Sequence, residues 1–219
     1  RLIRRQRQMC IRDSNYSIEE IRKIVREVLL EMQAETFPIG ISNRHIHLTE
    51  EHFTILFPNE TLEPLKPLKQ PGEFAAKQTV TLVGPKGEIR KVRILGPLRK
   101  RSQVEISKTD ARNLGVQPPI RLSGNLDDAV EITLRSEAAE VTIPAAIVAK
   151  RHIHLNDQDM ERMGLKQGQV VSVEIFEGSR KTIFNDVELR SGKNFVLEMH
   201  VDTDEAVSYT HLRAHETTL

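Results

Sequence analysis

The sequence has few residues that could cross-link the chain or embed it in a lipid bilayer. Of its 219 residues one is cysteine, none is tryptophan and 4% are aromatic. The single cysteine, Cys10, cannot form an intramolecular disulfide, and with no secretory signal at the start of the chain this favours the reducing cytoplasm. No apolar run approaches the roughly 20 residues that a membrane-spanning helix needs. We therefore expect a globular protein that buries a core without disulfides.

The two ends of the chain differ in pattern from the middle. Residues 1–14 and 206–219 show neither helical nor alternating hydrophobicity, and they resemble translated sequencing-adapter sequence. We predict that both are non-native flanks, and we leave Cys10, His211 and His215 out of any ligand set. Without the flanks 26 basic residues stand against 29 acidic ones, so the formal net charge changes from +1 to about −3. This balance gives no reason to expect a nucleic-acid partner.

Residues 15–33 predict an amphipathic helix. Ser17 and Glu20 have the spacing of a capping box, and apolar residues then recur at helical intervals as far as Met32. Two interpretations stay open. The helix either packs on its own domain or a second copy of the chain, or it is a detachable element that binds a separate partner.

Beyond Phe37 the pattern predicts a mainly β protein. Short alternating segments are separated by Gly, Pro and Asn, and two of them flank residues 85–87 as a hairpin. Short helices interrupt the strands, with expected N-caps at Thr49, Thr109 and Asn156. The strands are too many and too closely spaced for a doubly wound α/β sheet, so we predict two small β-barrels.

The segment Arg-His-Ile-His-Leu occurs twice, at residues 44–48 and 151–155. Each copy follows an apolar extended stretch and precedes an N-capped helix, which predicts an internal duplication. We expect one repeat over residues 37–137 and another over 138–205, as two abutting barrels between which strands can exchange. Duplicated units usually pack about a pseudo-twofold axis, so the two histidine pairs are expected in one cleft.

The histidine pairs have the spacing of metal ligands. Alternate residues of a strand point to the same face, so His45 lies beside His47 and His152 beside His154. Neutral imidazole is a common zinc ligand, and a catalytic zinc ion usually has three protein ligands and one open position. One pair alone would be weak evidence, but two pairs in equivalent contexts favour a metal site.

Each histidine pair lacks a third ligand, and two later strands offer candidates. His200 follows Met199 in an alternating segment, and Glu105 lies between two apolar residues. Spacing alone leaves solvent exposure as the alternative for Glu105. His52, in the first turn of a predicted helix, is expected to cap that helix or to be exposed.

Three consecutive basic residues, Arg99, Lys100 and Arg101, precede Glu105. Either they form a solvated surface or they bind phosphate, because arginine presents planar paired donors that match a phosphate group. A pair of metal ions beside an arginine suits phosphoryl or acyl-phosphate chemistry.

Five motifs in this order carry a family resemblance: GISNRHIHL, QPGEFAAKQTVTLVGPKG, ILGPLRKRSQVEIS, KRHIHL and MHVDTDEA. Together they resemble the phosphate propanoyltransferase family, the phosphotransacylases of bacterial microcompartments, over residues 37–205. The resemblance implies two abutting β-barrels with short capping helices and a dinuclear zinc site. It also implies the reaction of propanoyl- or acetyl-CoA with phosphate to give acyl phosphate and CoA, in either direction.

The resemblance assigns roles to residues of this chain. One zinc ion would be held by His45, His47 and Glu105, and the second by His152, His154 and His200. Arg99 would bind phosphate. Coenzyme A would contact Gly40, Ile41, Ser42, Lys86 and Arg93.

The resemblance also implies a location in the cytoplasm, inside a bacterial microcompartment as one alternative. Residues 17–33 would then bind the shell or its cargo, and a homo-oligomer stays open.

Other readings of the histidine motif are a duplicated cupin-like metalloenzyme and a non-catalytic zinc-binding module. The cupin pattern is supported by Glu51, four residues after His47, but the second copy has no matching glutamate. Ser42 lacks the strained turn that activates a hydrolase serine.

Overall fold

The structure is a computed structural model that describes residues 16–33, 36–175, 181–207 and 216–218. The predicted flank 1–14 with Cys10, and residues 208–215 with His211 and His215, lie outside the described residues. The chain divides into two compact units, residues 1–35 and residues 36–219. Among the described residues no helix is both long and apolar enough to cross a membrane.

The first unit contains helix α1 (Ile18–Gln33). Its start is the predicted capping box: the Ser17 hydroxyl accepts a hydrogen bond from the Glu20 N–H at 3.2 Å, and the Glu20 carboxylate accepts one from the Ser17 N–H. Ile18, Ile21, Ile24 and Val25 are all exposed. These apolar residues recur at helical spacing, so the predicted amphipathic helix is confirmed.

The second unit is mainly β, as predicted. Its elements in chain order are β1 (Thr36–Ser42), β2 (His45–His47), α2 (Glu50–Leu56), β3 (Pro64–Pro67), β4 (Phe74–Val83), β5 (Glu88–Gly96), β6 (Gln103–Glu105), α3 (Lys108–Leu114), β7 (Ile120–Arg121), β8 (Val130–Arg135), β9 (Glu140–Ala149), β10 (His152–Leu155), α4 (Asp157–Arg162), β11 (Val170–Ile175), β12 (Thr182–Ser191), β13 (Glu198–Asp202), α5 (Thr203–Ala206) and β14 (Glu216–Thr218).

Three short helices test the predicted N-caps. Thr49 caps α2 and Asn156 caps α4, as expected. The prediction of Thr109 as a cap was wrong, because Ser107 caps α3. The Ser107 hydroxyl accepts from the Asp110 N–H at 3.1 Å and the Asp110 carboxylate accepts from the Ser107 N–H at 3.4 Å, so this position satisfies two terminal donors at once.

One sheet is a closed barrel with the strand order β1-β13-β10-β12-β11-β14. Strand β10 lies between β12 and β13, parallel to β12 and antiparallel to β13. Strand β14 is antiparallel to both β1 and β11 and so closes the barrel. This last strand falls within the segment that the sequence predicts to be a non-native tail.

The other sheet has eight strands and repeats the same pattern. Strand β2 is parallel to β5 and antiparallel to β6, as β10 is to β12 and β13. Strand β8 pairs with both β4 and β9, so the path of hydrogen-bonded neighbours returns to its start. The short strands β3 and β7 extend this sheet beside β4 and β9.

The two sheets exchange strands. β1 leads directly into β2 along the chain, yet it pairs in parallel with β13 of the other sheet. In the same way β9 leads into β10 but pairs in parallel with β6. Each histidine strand is thus preceded by a strand of the opposite sheet.

A matching irregularity supports the duplication. Lys91 in β5 and Asp186 in β12 both have a φ of 57° and lie two residues before the partners of His45 and His152. The register of both neighbouring hairpins shifts close to these residues. A non-glycine residue in the left-handed region is uncommon, so its recurrence at equivalent positions indicates a common architecture.

Each sheet has its own apolar core, and the histidine motif contributes to both. Ile46 and Leu48 are fully buried in one core, and Ile153 and Leu155 in the other. Burying a side chain of this size stabilises the fold by about 1.5–3 kcal/mol. Because neighbouring strand residues point to opposite faces, anchoring these four residues directs all four histidines to the other face.

Candidate metal centre

The first ligand cluster consists of His45, His47 and Glu105, whose donor atoms all lie within 4.8 Å of one another. All three residues are buried. The β2–β6 register sets His45 directly opposite Glu105, and His45 Nε2 lies 3.6 Å from Glu105 Oε2. His45 Nδ1 is 2.8 Å from the Asn43 carbonyl oxygen, which favours the tautomer that leaves Nε2 available for a metal.

The second cluster consists of His152, His154 and His200, again with donor atoms within 4.8 Å. Here the β10–β13 register sets His152 opposite His200, in the place that Glu105 has in the first cluster. His152 Nδ1 is 2.8 Å from the Lys150 carbonyl oxygen, which repeats the contact between His45 and Asn43. Among the described residues these two clusters are the groups with metal-binding geometry.

His154 gives the most direct indication that a metal belongs here. Both of its ring nitrogens are buried, and neither has a hydrogen-bond partner in the described part of the chain. A buried polar atom without a partner costs about 1–3 kcal/mol, so proteins rarely leave one without a reason. A metal ion bound to one of the nitrogens supplies that reason, and the donor set of three imidazoles fits zinc.

The protonation states suit metal binding. Burial, with the neighbouring positive charges, lowers the pKa of His47 to about 3, of His152 to about 4 and of His154 to about 2. These imidazoles are therefore neutral near pH 7, and the neutral form is the one that binds metals.

His45 and Glu105 behave differently because they face each other. Burial acts to lower the pKa of His45, but the Glu105 carboxylate raises it further, so the net shift is upward. Burial acts to raise the pKa of Glu105, but the charge and the hydrogen bond of His45 outweigh burial and lower it. The first cluster thus holds an ionised carboxylate, which an oxygen-binding divalent cation requires.

The two clusters lie within electrostatic reach of each other. The Glu105 carboxylate acts to raise the pKa of both His152 and His154, although these belong to the other sheet. The predicted meeting of both histidine pairs in one region therefore has support from the electrostatics of the second unit.

The arginine of each histidine motif has an equivalent structural partner. Arg44 Nε lies 2.9 Å from Asp110 Oδ2, and Arg151 Nε lies 3.1 Å from Glu205 Oε1. Both carboxylates sit in the first turn of the helix that follows the strand of the third ligand. These pairs tie each histidine strand to its third ligand. Sequence reasoning missed them, although the repeated arginine was visible in both motifs.

Glu198 is a second residue that the sequence did not single out. It lies two residues before His200 on the same face of β13, and its Oε2 is 3.0 Å from His200 Nε2. Lys69, in the loop between β3 and β4 of the eight-stranded sheet, donates to its other oxygen at 3.1 Å. A Cβ at Gly40 would lie 3.0 Å from the Glu198 carboxyl group, so the predicted coenzyme-site glycine is also the residue that leaves room for Glu198.

Arg99 is the one residue of the basic run that is held beside the clusters. Its Nη2 donates to Glu73 Oε1 at 2.9 Å and its backbone N–H to the Leu48 carbonyl at 2.8 Å. Its positive charge acts to lower the pKa of both His45 and His47, although the net shift of His45 is upward. Lys100 and Arg101 are exposed, so the alternative of a solvated basic surface fits those two residues.

The residues predicted to contact coenzyme A are only partly brought together. Gly40, Ile41 and Ser42 form the end of β1, where Gly40 is paired with His200. Arg93 is paired with His45, but its Nη1 donates to the carbonyls of Ala76 and Lys77 at 3.0 and 2.7 Å.

Lys86 lies apart from the other predicted coenzyme residues. It is exposed at the turn between β4 and β5, and its side chain packs against Gly115. Seven residues of extended chain separate it from Arg93, or roughly 23 Å.

Two residues bear on the alternative interpretations. Glu51 is an exposed residue of α2, so it does not supply the ligand that a cupin would need. The His52 ring makes a hydrogen bond to Ser102 Oγ at 2.7 Å and lies in neither metal cluster.

Comparison with known proteins identifies the family of this chain. The family model for phosphate propanoyltransferase matches residues 38–211. A phosphate propanoyltransferase of Levilactobacillus brevis is 55% identical over 186 residues, which are 85% of this chain and 88% of that protein. One from Shewanella putrefaciens is 51% identical, with 85% and 89% covered, and one from Salmonella typhimurium is 50% identical, with 86% and 90% covered. The chain therefore belongs to the phosphate propanoyltransferase family and is an acyltransferase that acts with phosphate.

Proposed function

We propose that the protein interconverts acyl-CoA and phosphate with acyl phosphate and CoA at a centre of two zinc ions. Propanoyl and acetyl groups are the acyl groups that the sequence resemblance favours. The observation that carries this proposal is the pair of three-residue clusters, whose members are buried except for the half-buried His200, with Arg99 beside the first cluster. Two neighbouring cation sites and a guanidinium suit a reaction between a phosphate dianion and a thioester.

In this proposal His45, His47 and Glu105 hold one zinc ion, and His152, His154 and His200 hold the other. Three protein ligands leave an open position, as in catalytic zinc sites. When bound, zinc supplies Lewis-acid stabilisation of negative charge on oxygen. The hydrogen bonds from His45 Nδ1 and His152 Nδ1 to backbone carbonyls orient the rings toward their ions.

Arg99 orients the phosphate. Its guanidinium is fixed by Glu73 Oε1 at 2.9 Å and has further N–H donors that can point at a bound anion. A phosphate oxygen then attacks the thioester carbonyl carbon, a new C–O bond forms, the C–S bond breaks, and the CoA sulfur leaves as thiolate. Holding phosphate and thioester together replaces an encounter in solution by a reaction of bound partners. No protein nucleophile is required.

The end of β1 is the proposed place for the reacting end of coenzyme A. Gly40 is paired with the ligand His200, and Ile41 and Ser42 continue from it at the surface. Arg93 on the neighbouring strand β5 is closer to the first cluster than Lys86 is, because it is paired with His45. Lys86 is left out of the proposed contact set because of its position at the far turn.

We further propose that α1 directs the protein to a microcompartment shell or its cargo, as the resemblance implies. The support is a helix of its own compact unit that exposes Ile18, Ile21, Ile24 and Val25. Deletion of residues 1–33 should abolish co-localisation with shell proteins and leave acyl transfer intact. Unchanged co-localisation would remove this part of the proposal and leave the catalytic part as it stands.

The proposed reaction is tested by thiol release from propanoyl-CoA and acetyl-CoA by the purified protein. We expect release only when phosphate is present, together with formation of acyl phosphate, and loss of release after chelation. Zinc should restore it. Release without phosphate would identify a thioesterase instead. Phosphate-dependent thiol release that survives complete chelation would contradict the zinc centre but would still support acyl transfer to phosphate.

A further inference from the structure

Arg190 lies beside the second metal cluster and has no anionic partner among the residues that the structure describes. It lies on β12, where the register pairs it with the ligand His154. Its neighbour Leu189 is fully buried in the barrel core, so Arg190 points to the opposite face, which is the face of the histidines. Neither the sequence motifs nor the family assignment gives this residue a role.

The contacts of Arg190 orient it without neutralising it. Its guanidinium carbon lies 5.7 Å from the centre of the Phe195 ring. Phe195 in turn packs against the His154 ring, with ring centres 4.4 Å apart. Within the described ranges no carboxylate is paired with Arg190, whereas Arg44, Arg99 and Arg151 each have one.

The guanidinium of Arg190 is partly buried and lies within electrostatic reach of a second arginine. Burial lowers the pKa of Arg190, and the charge of Arg99 lowers it further. The carboxylates that act on it are Glu105, a proposed metal ligand, and Glu73, which is already paired with Arg99. Because a guanidinium keeps its charge in proteins, two neighbouring arginines favour a bound anion between them.

We propose that Arg190 is a second phosphate-binding arginine, which with Arg99 holds the phosphate of the reaction from opposite sheets. This inference rests on the proposed function and adds a substrate contact to it. Two guanidinium groups present enough planar donors to bind several oxygens of one dianion. Arg99 lies in the loop between β5 and β6 of the eight-stranded sheet, and Arg190 lies on β12 of the closed barrel, so a bound phosphate would contact both repeats.

The test uses the zinc-loaded full chain with Arg190→Met and Arg190→Lys. We expect Arg190→Met to raise the KM for phosphate about 10- to 100-fold, the usual effect of losing a charged hydrogen-bonded contact, while the KM for acyl-CoA changes little. The dissociation constant of inorganic phosphate, measured by equilibrium binding without acyl-CoA, should rise by the same factor. Arg190→Lys should recover part of the loss, because lysine keeps the charge but not the paired donors.

Arg135→Met is the matched control. Arg135 lies on β8 of the eight-stranded sheet, and it is paired with Glu88 at 3.1 Å and with Glu140. Its removal should leave both the phosphate constant and the zinc content unchanged. Zinc content is measured for every variant, and loss of zinc in Arg190→Met would show that the residue supports the metal site instead of phosphate.

Coenzyme A also carries phosphates, so its contribution must be separated. Acyl-pantetheine has the thioester but lacks the nucleotide phosphates. A rise in the KM for acyl-CoA that disappears with acyl-pantetheine would show that Arg190 binds the coenzyme, and the proposal would be wrong. Unchanged phosphate binding in Arg190→Met would also overturn it. If the wild type binds phosphate but releases no thiol, the proposed reaction fails while the Arg190 test stands.

Discussion

The orphaned nitrogens of His154 predict that removing this ligand stabilises the metal-free protein. The neutral ring has one donor and one acceptor, and neither has a hydrogen-bond partner among the described residues. Each unsatisfied buried group costs about 1–3 kcal/mol. In the variant His154→Phe both costs disappear, while the flat ring keeps its contact with Phe195. The larger ring costs about 1–3 kcal/mol through overpacking, so the expected net gain is about 2 kcal/mol in the free energy of unfolding.

The assay is denaturant and thermal unfolding of chelated protein. For a domain of this size about 2 kcal/mol corresponds to a melting temperature about 4–8 °C higher. When zinc is added to about a thousand times its dissociation constant, each intact site gains about 4 kcal/mol. The variant keeps only the first cluster, so the order of stability should reverse in zinc.

His52→Phe is the matched control, because the His52 ring is satisfied by Ser102 Oγ at 2.7 Å. Losing that hydrogen bond should cost about 1 kcal/mol with or without zinc. The reasoning is refuted if chelated His154→Phe is less stable than the wild type while the control behaves as expected.

Three further predictions concern the neighbours of the clusters. Arg151→Met should cost about 1–3 kcal/mol in unfolding by removing the ion pair with Glu205, and it should weaken zinc binding about 10- to 100-fold at one site in competition titrations; Arg44→Met should do the same at the other site. Burial raises the pKa of Glu205 above its ordinary value of 4.5 despite Arg151. A raised folded-state pKa gives stability that is present at low pH and lost as the pH rises, so the unfolding free energy of the wild type relative to Glu205→Gln should fall above pH 4.5, and a rise instead would contradict the burial argument. Gly40→Ala places a Cβ 3.0 Å from the Glu198 carboxyl group, so we expect slower thiol release and weaker binding of one zinc ion, with a cost to stability of about 1 kcal/mol.

The histidine clusters could be predicted because their signal is local. Alternate residues of a strand share a face, so His45 lies beside His47, and in the second copy of the motif His152 lies beside His154. Burial of Glu105 could not be predicted, because it depends on which strands lie beside β6. Glu105 is buried, and so are Val104 and Ile106, the residues on either side of it in the sequence.

The parts of the fold that escaped prediction depend on long-range pairing. The parallel pairing of β1 with β13 joins residues about 160 positions apart, and nothing in either segment specifies its partner. Strand β3 begins and ends with proline, a residue that usually argues against a strand, yet it lies at an edge where a missing N–H is tolerated. Arg190 has no sequence signal at all, since only the register of β12 sets it beside His154.

The most direct test of the dinuclear centre is a zinc titration of chelated protein, followed by phosphate-dependent thiol release from propanoyl-CoA. If both clusters must be filled, release stays low until each chain holds more than one zinc ion and reaches its maximum at two. Variants that lack either Glu105 or His200 should bind one ion and stay inactive. Full release at one zinc ion per chain, or in either variant, would contradict a reaction that uses both repeats.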